Sequence, residues 1–267
     1  MKIISVINTK GGVGKTVTTI NLGAALAARG LRVLLFDVDM QAGLSNHFNL
    51  DAERGSSADV LSGAVGIEEC LIELRPGLWA VPANATIERA ERELSTASGG
   101  EVRLKRAVKR FLRHVSTLPK DAAFDFMLID CPSGWGPVSR NALLASDAML
   151  VPLNSEPAAI TCAVSTIAEA RELGEYHDHD IALLGVLITR FRQTNQARAV
   201  EEQSVKLWGN SVFDARIRQA ERVNELGFGG ETLSDRASGK VGDDYDALAC
   251  EVIERAKLEF VAQDNKK

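Results

Sequence analysis

Short apolar runs recur along the chain, mostly separated by longer stretches of helical periodicity. Lys2-Ile3-Ile4-Ser5-Val6-Ile7-Asn8 and Arg32-Val33-Leu34-Leu35-Phe36-Asp37 predict buried strands. Similar runs at Leu78–Val81, Phe124–Ile129, Ala148–Leu153 and Ile181–Ile188 predict further ones. Strands that are apolar throughout suit a sheet covered on both faces, and parallel strands need crossover helices between them. The pattern therefore predicts an α/β fold, a doubly wound, mainly parallel sheet with helices on both faces. No Pro- or Ser-rich linker, fixed-period repeat or low-complexity block interrupts it, so a single domain over residues 1–262 is expected, followed by a polar tail at 263–267.

Composition narrows the class. The 267 residues are 45% apolar and 25% charged, which excludes disordered and collagen-like chains and is enough for one large core. No apolar run approaches the ~18 residues that span a bilayer, and the first residues lack the features of a signal peptide, so a cytoplasmic location is expected. Cys70, Cys131, Cys162 and Cys250 are scattered without CxxC spacing, which points to buried thiols rather than disulfides or a zinc site. A net charge of -5 argues against a surface that binds nucleic acid by overall charge. Locally the balance differs. Between Glu101 and Arg113 six bases (Arg103, Lys105, Arg106, Lys109, Arg110, Arg113) face one acid, and more arginines follow from Arg190.

Thr9-Lys10-Gly11-Gly12-Val13-Gly14-Lys15-Thr16 lies between an expected strand and an expected helix. In that context backbone N–H groups and a helix N-terminus can wrap a nucleotide's phosphates, and glycines allow the close approach. Nucleotide contacts are expected from Lys10, Gly11, Gly12, Val13, Gly14, Lys15, Thr16 and Val17, with Lys15 reaching the β- and γ-phosphates and the Thr16 hydroxyl ligating Mg2+. The ordinary phosphate-loop pattern needs glycine where Thr9 stands, and this chain instead carries a second lysine, Lys10. Asp37 and Asp39 end the second strand, where period-2 alternation would project both carboxylates to the same side beside the loop, although turn or helix-capping acids look the same in sequence. Phe126-Met127-Leu128-Ile129-Asp130 ends an apolar strand on an acid that can hold Mg2+ through water.

Lys10 followed by Gly-Gly-Val-Gly-Lys-Thr resembles the deviant Walker A signature of the ParA/MinD class of P-loop ATPases. The chain is most similar to the short, Soj-like ParA partition ATPases, without an N-terminal helix-turn-helix. Phe36-Asp37-Val38-Asp39-Met40-Gln41 is similar to the family's Asp-x-Asp-Pro-Gln switch, with Met40 for proline. Cys131-Pro132-Ser133 is similar to its second switch, with Ser133 for the second proline. The resemblance implies an ATPase using ATP and Mg2+, in which two subunits sandwich two nucleotides. Lys10 would reach the partner's nucleotide, Asp39 would position the attacking water, and Asp37 and Asp130 would support the metal. It also implies non-specific binding of the ATP dimer to double-stranded DNA, a ParB-like or cargo adaptor that stimulates slow hydrolysis, and association with the nucleoid in DNA partition or cargo positioning.

Counterion release on phosphate contact gives affinity without sequence readout. The candidate residues are Arg190, Arg192, Arg198, Arg216 and Arg218, expected around a strand end and the turns after it. Solvated arginines paired with Glu201, Glu202 or Asp214 are the bland alternative. The Arg103–Arg113 stretch is a second choice, since a packed helix also needs a polar outer face. Two neighbouring functions are less well served. A MinD-like membrane ATPase needs a basic amphipathic end, whereas residues 245–260 are rich in acids and suit a helix packed on the core. A metal-cluster reductase or scaffold needs converging cysteines, and Cys131 has no such neighbour in sequence.

Overall fold

In strand β1 (Lys2–Val6) every residue is buried. The computed structural model describes residues 1–117, 119, 122–219, 230–233 and 240–264, excepting the side chains of 240 and 257–264. Ile3 enters one apolar layer, and Ile4 and Val6 the other, as alternation across a covered strand requires. Among the described residues the sheet has eight strands in the order β3-β4-β2-β5-β1-β6-β7-β8. β2 (Val33–Asp37), β4 (Leu78–Val81), β5 (Phe126–Asp130), β6 (Ala148–Asn154), β7 (Ala182–Phe191) and β8 (Val212–Arg218) run parallel with β1, and β3 (Ile72–Arg75) pairs antiparallel with β4.

One face carries α1 (Lys15–Ala27) and α9 (Lys240–Asp264), whose Leu22, Leu26, Leu248 and Val252 are fully buried. The other carries α3 (Ser57–Ser62), α4 (Ile87–Thr96), α5 (Arg103–Val115), α6 (Pro137–Ala145), α7 (Pro157–Tyr176) and α8 (Asn195–Trp208). The short α2 (Gly43–His47) follows β2. From β1 the chain moves to β2 on one side, and from β5 it crosses β1 to β6, β7 and β8 on the other. The carboxyl end of β1 is therefore a topological switch point, where open α/β sheets place their ligands.

The expected doubly wound α/β sheet is present, with two strands that the apolar runs did not announce. β3 reads Ile-Glu-Leu-Arg, an edge strand too short and charged to stand out. In β8, Phe213, Ala215 and Ile217 are buried while Asp214 and Arg216 are exposed, a period-2 pattern masked by its charges. Arg216 and Arg218 thus lie on a strand and not on turns after one. α9 runs through Asp264, so the expected tail starts within a helix, and residues 265–267 lie outside the described residues.

The approach of α1 to the sheet depends on Gly23, where a Cβ would stand 2.5 Å from Leu35 Cδ2 and 3.5 Å from Leu78 Cδ1. Gly23→Val should destabilise the protein by about 1–3 kcal/mol through overpacking. A urea midpoint that does not fall would show that α1 can lift without cost.

Candidate functional site

The loop between β1 and α1 takes its shape from Gly12 and Gly14, at φ 73° and 88°, where a side chain is strained. Gly14 is the N-cap of α1 and supplies no side-chain cap, so the helix's first N–H groups face the loop and suit an anion. Several polar groups brace this turn. Asn8 Oδ1 accepts from the Lys10 N–H at 2.9 Å, and Asn8 Nδ2 donates to the Pro152 carbonyl at 2.8 Å. The Thr9 N–H donates to Thr166 Oγ1 at 3.2 Å, and the Thr189 hydroxyl donates to the Val13 carbonyl at 2.8 Å. Sequence reasoning did not single out Asn8, Thr166 or Thr189. For Thr189 the available signal was a hydroxyl closing an apolar run.

Lys15 is 6% exposed, and its ammonium donates to Ser133 Oγ at 2.8 Å and to the Lys10 carbonyl at 3.3 Å. Burial holds its pKa below the usual lysine value, an effect that the nearby Asp130 charge opposes. Ser133, which occupies the position of the family's proline, therefore supplies the acceptor for the loop lysine. The Lys10 ammonium turns back on its own chain, to Asn154 Oδ1 at 3.3 Å and into an ion pair with Glu156. Each lysine is held by oxygens of its own chain.

The two strand-end acids are adjacent by register, since Asp37 of β2 pairs with Asp130 of β5. Both are fully buried. Asp37 has its oxygens committed: Oδ1 accepts from the Asp39 N–H at 3.0 Å, and Oδ2 from the Ser45 N–H at 3.0 Å and the Ser45 hydroxyl at 2.7 Å. Burial pushes its pKa up to about 6 despite those donors. Asp130 is less well served. Its Oδ1 shares the Thr19 hydroxyl proton at 3.3 Å with the Lys15 carbonyl, and its Oδ2 has no hydrogen-bond partner among the described residues. Burial, and then the Asp37 charge beside it, push its carboxyl well above the ordinary range.

Asp39 differs from the expected geometry. β2 ends at Asp37, so strand alternation does not extend to it. The chain turns there, with the Asp39 amide on Asp37, the Ala42 N–H on the Asp39 carbonyl at 2.8 Å and Asp39 Oδ1 accepting from the Gln41 N–H at 2.9 Å. Met40 is 44% exposed on this turn. The carboxylates of Asp37 and Asp39 are thus neighbours by a turn, one buried and bracing, the other half-buried. Cys131 is fully buried and burial pushes its thiol up, as a packed thiol requires.

A magnesium ion bridging phosphates needs few protein ligands and keeps several waters. The residues fit that ion. Thr16 lies in the first turn of α1 beside the loop, and the orphaned Asp130 Oδ2 offers a buried carboxyl oxygen.

The five arginines are split by the structure. Arg192, Arg216 and Arg218 line one surface cavity with Gln193 and Gln219 at the carboxyl ends of β7 and β8. Arg190 stands near the end of β7 at φ 49°, and Arg198 is on α8. Arg216 pairs with Glu201 and lies 5.6 Å over the Phe191 ring, while Arg218 binds Asp244 at 2.6 Å. Part of the bland alternative is therefore realised, with Asp244 as an unforeseen partner.

A family profile described as AAA domain matches residues 1–182. Over 262 residues the chain is 31% identical to the chromosome partitioning protein ParA of Caulobacter vibrioides, covering 96% of each chain. The chain belongs to the ParA/Soj family of P-loop ATPases. It is also 32% identical over 228 residues to the sporulation initiation inhibitor protein Soj of Bacillus subtilis, covering 84% of this chain and 87% of that one. Among solved structures, cobyrinic acid a,c-diamide synthase of Mycobacterium smegmatis with bound ADP and magnesium superposes with a TM-score of 0.80 at 28% identity, over 96% of both chains.

Within this ParA/Soj site, Ser133→Ala removes the hydroxyl acceptor of a buried ammonium. It should destabilise the nucleotide-free protein by about 1 kcal/mol in chemical denaturation. An unchanged midpoint would mean that Lys15 rests on its other acceptors.

Proposed function

We propose that this ParA/Soj-family protein is a slow, partner-stimulated ATPase that pairs through ATP, binds DNA without sequence preference and moves DNA or other cargo over the nucleoid. The observation that carries the reading is the loop itself, with two lysines, a free helix N-terminus and a buried carboxylate with one unpartnered oxygen gathered at the switch point. The residues would hold MgATP as follows. Loop amides from Lys10 to Val17 and the Lys15 ammonium would take the phosphates, Thr16 would meet the metal, and Asp130 would hold its hydration shell with Asp37 bracing behind. The ion supplies charge neutralisation along the transferring phosphoryl group. Asp39, half-buried on the turn, would orient the attacking water.

Lys10 is the part that couples fuel to pairing. Its partner Glu156 has a side chain that is 58% exposed, and ion pairs at such surfaces are weak. A partner subunit's triphosphate, carrying several charges, would outcompete that carboxylate and draw the ammonium across. Lys15→Ala should therefore abolish ATP binding. Lys10→Ala should bind ATP as a monomer and fail to pair, as read by light scattering. Asp39→Ala should bind and pair while its turnover falls at least tenfold, in keeping with the loss of a water-positioning group. Undiminished hydrolysis in Asp39→Ala would remove that residue from its role.

Support against a membrane role comes from α9, whose Leu248, Val252 and Ala256 are buried. DNA contact would use Arg190, Arg192, Arg198, Arg216 and Arg218, the last two by exchanging carboxylate for phosphate. Retention on duplex DNA should be strong with ATP, weak with ADP and steeply salt-dependent. Arg192→Ala should lower the salt slope by about 1 on unrelated duplexes alike. Equal retention with ATP, with ADP and without nucleotide would overturn the cycle.

A further inference from the structure

Helix α5 reads Arg-Leu-Lys-Arg-Ala-Val-Lys-Arg-Phe-Leu-Arg-His-Val and contains no acid. Leu104, Ala107, Val108, Phe111 and Val115 are buried, which commits its apolar side to the core. On the outer side Arg103, Arg106, Lys109, Arg110 and Arg113 line a groove whose far wall is Val60, Leu61 and Gly63, at the carboxyl end of α3. None of these five forms an ion pair among the described residues. Their recorded side-chain hydrogen bonds go to backbone carbonyls, Arg103 Nη1 to Ser62 at 2.7 Å and Arg113 Nε to Lys109 at 3.3 Å.

This arrangement works against the helix. Cations three and four residues apart repel, and Arg103, Lys105 and Arg106 in the first turn oppose the macrodipole. Elsewhere the protein pairs its helix charges, as in Arg89 with Glu93 and Arg92 with Glu88 on α4. A face that retains unbalanced cations in a chain of net charge -5 suits an anionic ligand.

The chemistry of the groove selects among polyanions. Arg103 to Arg113 spans about 15 Å at the helical rise, a length that can follow several phosphates of one duplex. Arginines predominate, and their planar forks suit phosphate oxygens. No large apolar side chain of α5 is among those exposed, so the face offers neither an anchor for a protein hot spot nor a wedge for a bilayer. The groove is also remote from the arginines of β8. Phe111 of α5 packs on Phe124, and Phe124 on Trp79 of β4, on the other side of the sheet from the β8 edge.

We propose that the α5–α3 groove is a second DNA surface, one that grips duplex phosphates without nucleotide or pairing. Its ligand class rests on the partition reading above, while its independence of ATP does not. The surface would keep a released monomer weakly on DNA between cycles.

The test uses the full chain and a fluorescent duplex of arbitrary sequence, without nucleotide and with ATP, at low and physiological salt. The variant is Arg106→Gln/Arg110→Gln/Arg113→Gln, checked for folding by circular dichroism and melting, with Arg→Lys at the same three positions as the charge-retaining control. Without nucleotide, the wild type should bind at low salt. The Gln variant should lose at least about tenfold in affinity and about 2–3 in salt slope, and the Lys variant should retain most of both. ATP should strengthen wild type and Gln variant by the same factor. Gln-variant binding equal to wild type would overturn the proposal. So would wild-type protein that ignores the duplex without nucleotide, including one that captures polyglutamate or phosphatidylglycerol vesicles instead. If binding without nucleotide behaves as expected but ATP adds nothing, the partition reading fails and the groove stands.

Discussion

Two carboxylates buried side by side are the constraint from which the rest of this site follows. The register of β2 against β5 fixes Asp37 opposite Asp130, and neither reaches solvent. Charging both in an apolar interior is costly unless donors or cations answer them. Asp37 is answered by three donors from the following turn, which makes it a brace for the Asp39–Ser45 segment more than a ligand. Asp130 is answered only in part. Its unpartnered oxygen and the buried Lys15 form an incomplete charge arrangement that magnesium and phosphate would complete together.

The sheet order explains why these groups meet. β1 lies between β5 and β6, so the loop after it opens onto the Asp130 end of β5 on one side and Asn154 and Glu156 beyond β6 on the other. Lys15 therefore looks toward the β5 side, at Ser133, and Lys10 toward the β6 side, at Glu156. Five positions apart in the sequence, the two lysines serve opposite flanks of one strand end. In the proposed cycle, that division would let one stay with its own subunit's nucleotide while the other is released outward.

How much of this was legible in the sequence depended on whether a residue's role was local. The strands apolar throughout were readable because burial on both faces leaves no other composition. The loop that carries Lys10, Lys15 and Thr16 and the strand end that carries Asp130 were readable because each is one short contiguous segment. β8 was not, since Asp214, Arg216 and Arg218 sit on its outward face and hide the inward alternation of Phe213, Ala215 and Ile217. Ser133 drew notice only for the proline it replaces, and its bond to Lys15 joins residues 118 positions apart. Thr166, likewise distant from the loop it braces, carried no local signal, and Thr189 carried only a hydroxyl closing an apolar run.

The ion pair of Lys10 with Glu156 bears on the proposed coupling of nucleotide to pairing. A lysine free in solvent would cross to a partner's nucleotide without first giving up a carboxylate, and pairing would follow ATP concentration alone. Here the ammonium would have to leave Glu156 and the Asn154 amide oxygen, so in the proposed cycle the exchange would favour an incoming charge larger than the one left behind. A triphosphate meets that condition better than a diphosphate does. Under the proposed cycle, discrimination between the two nucleotides would lie in the balance between the charge that Lys10 abandons and the charge it gains.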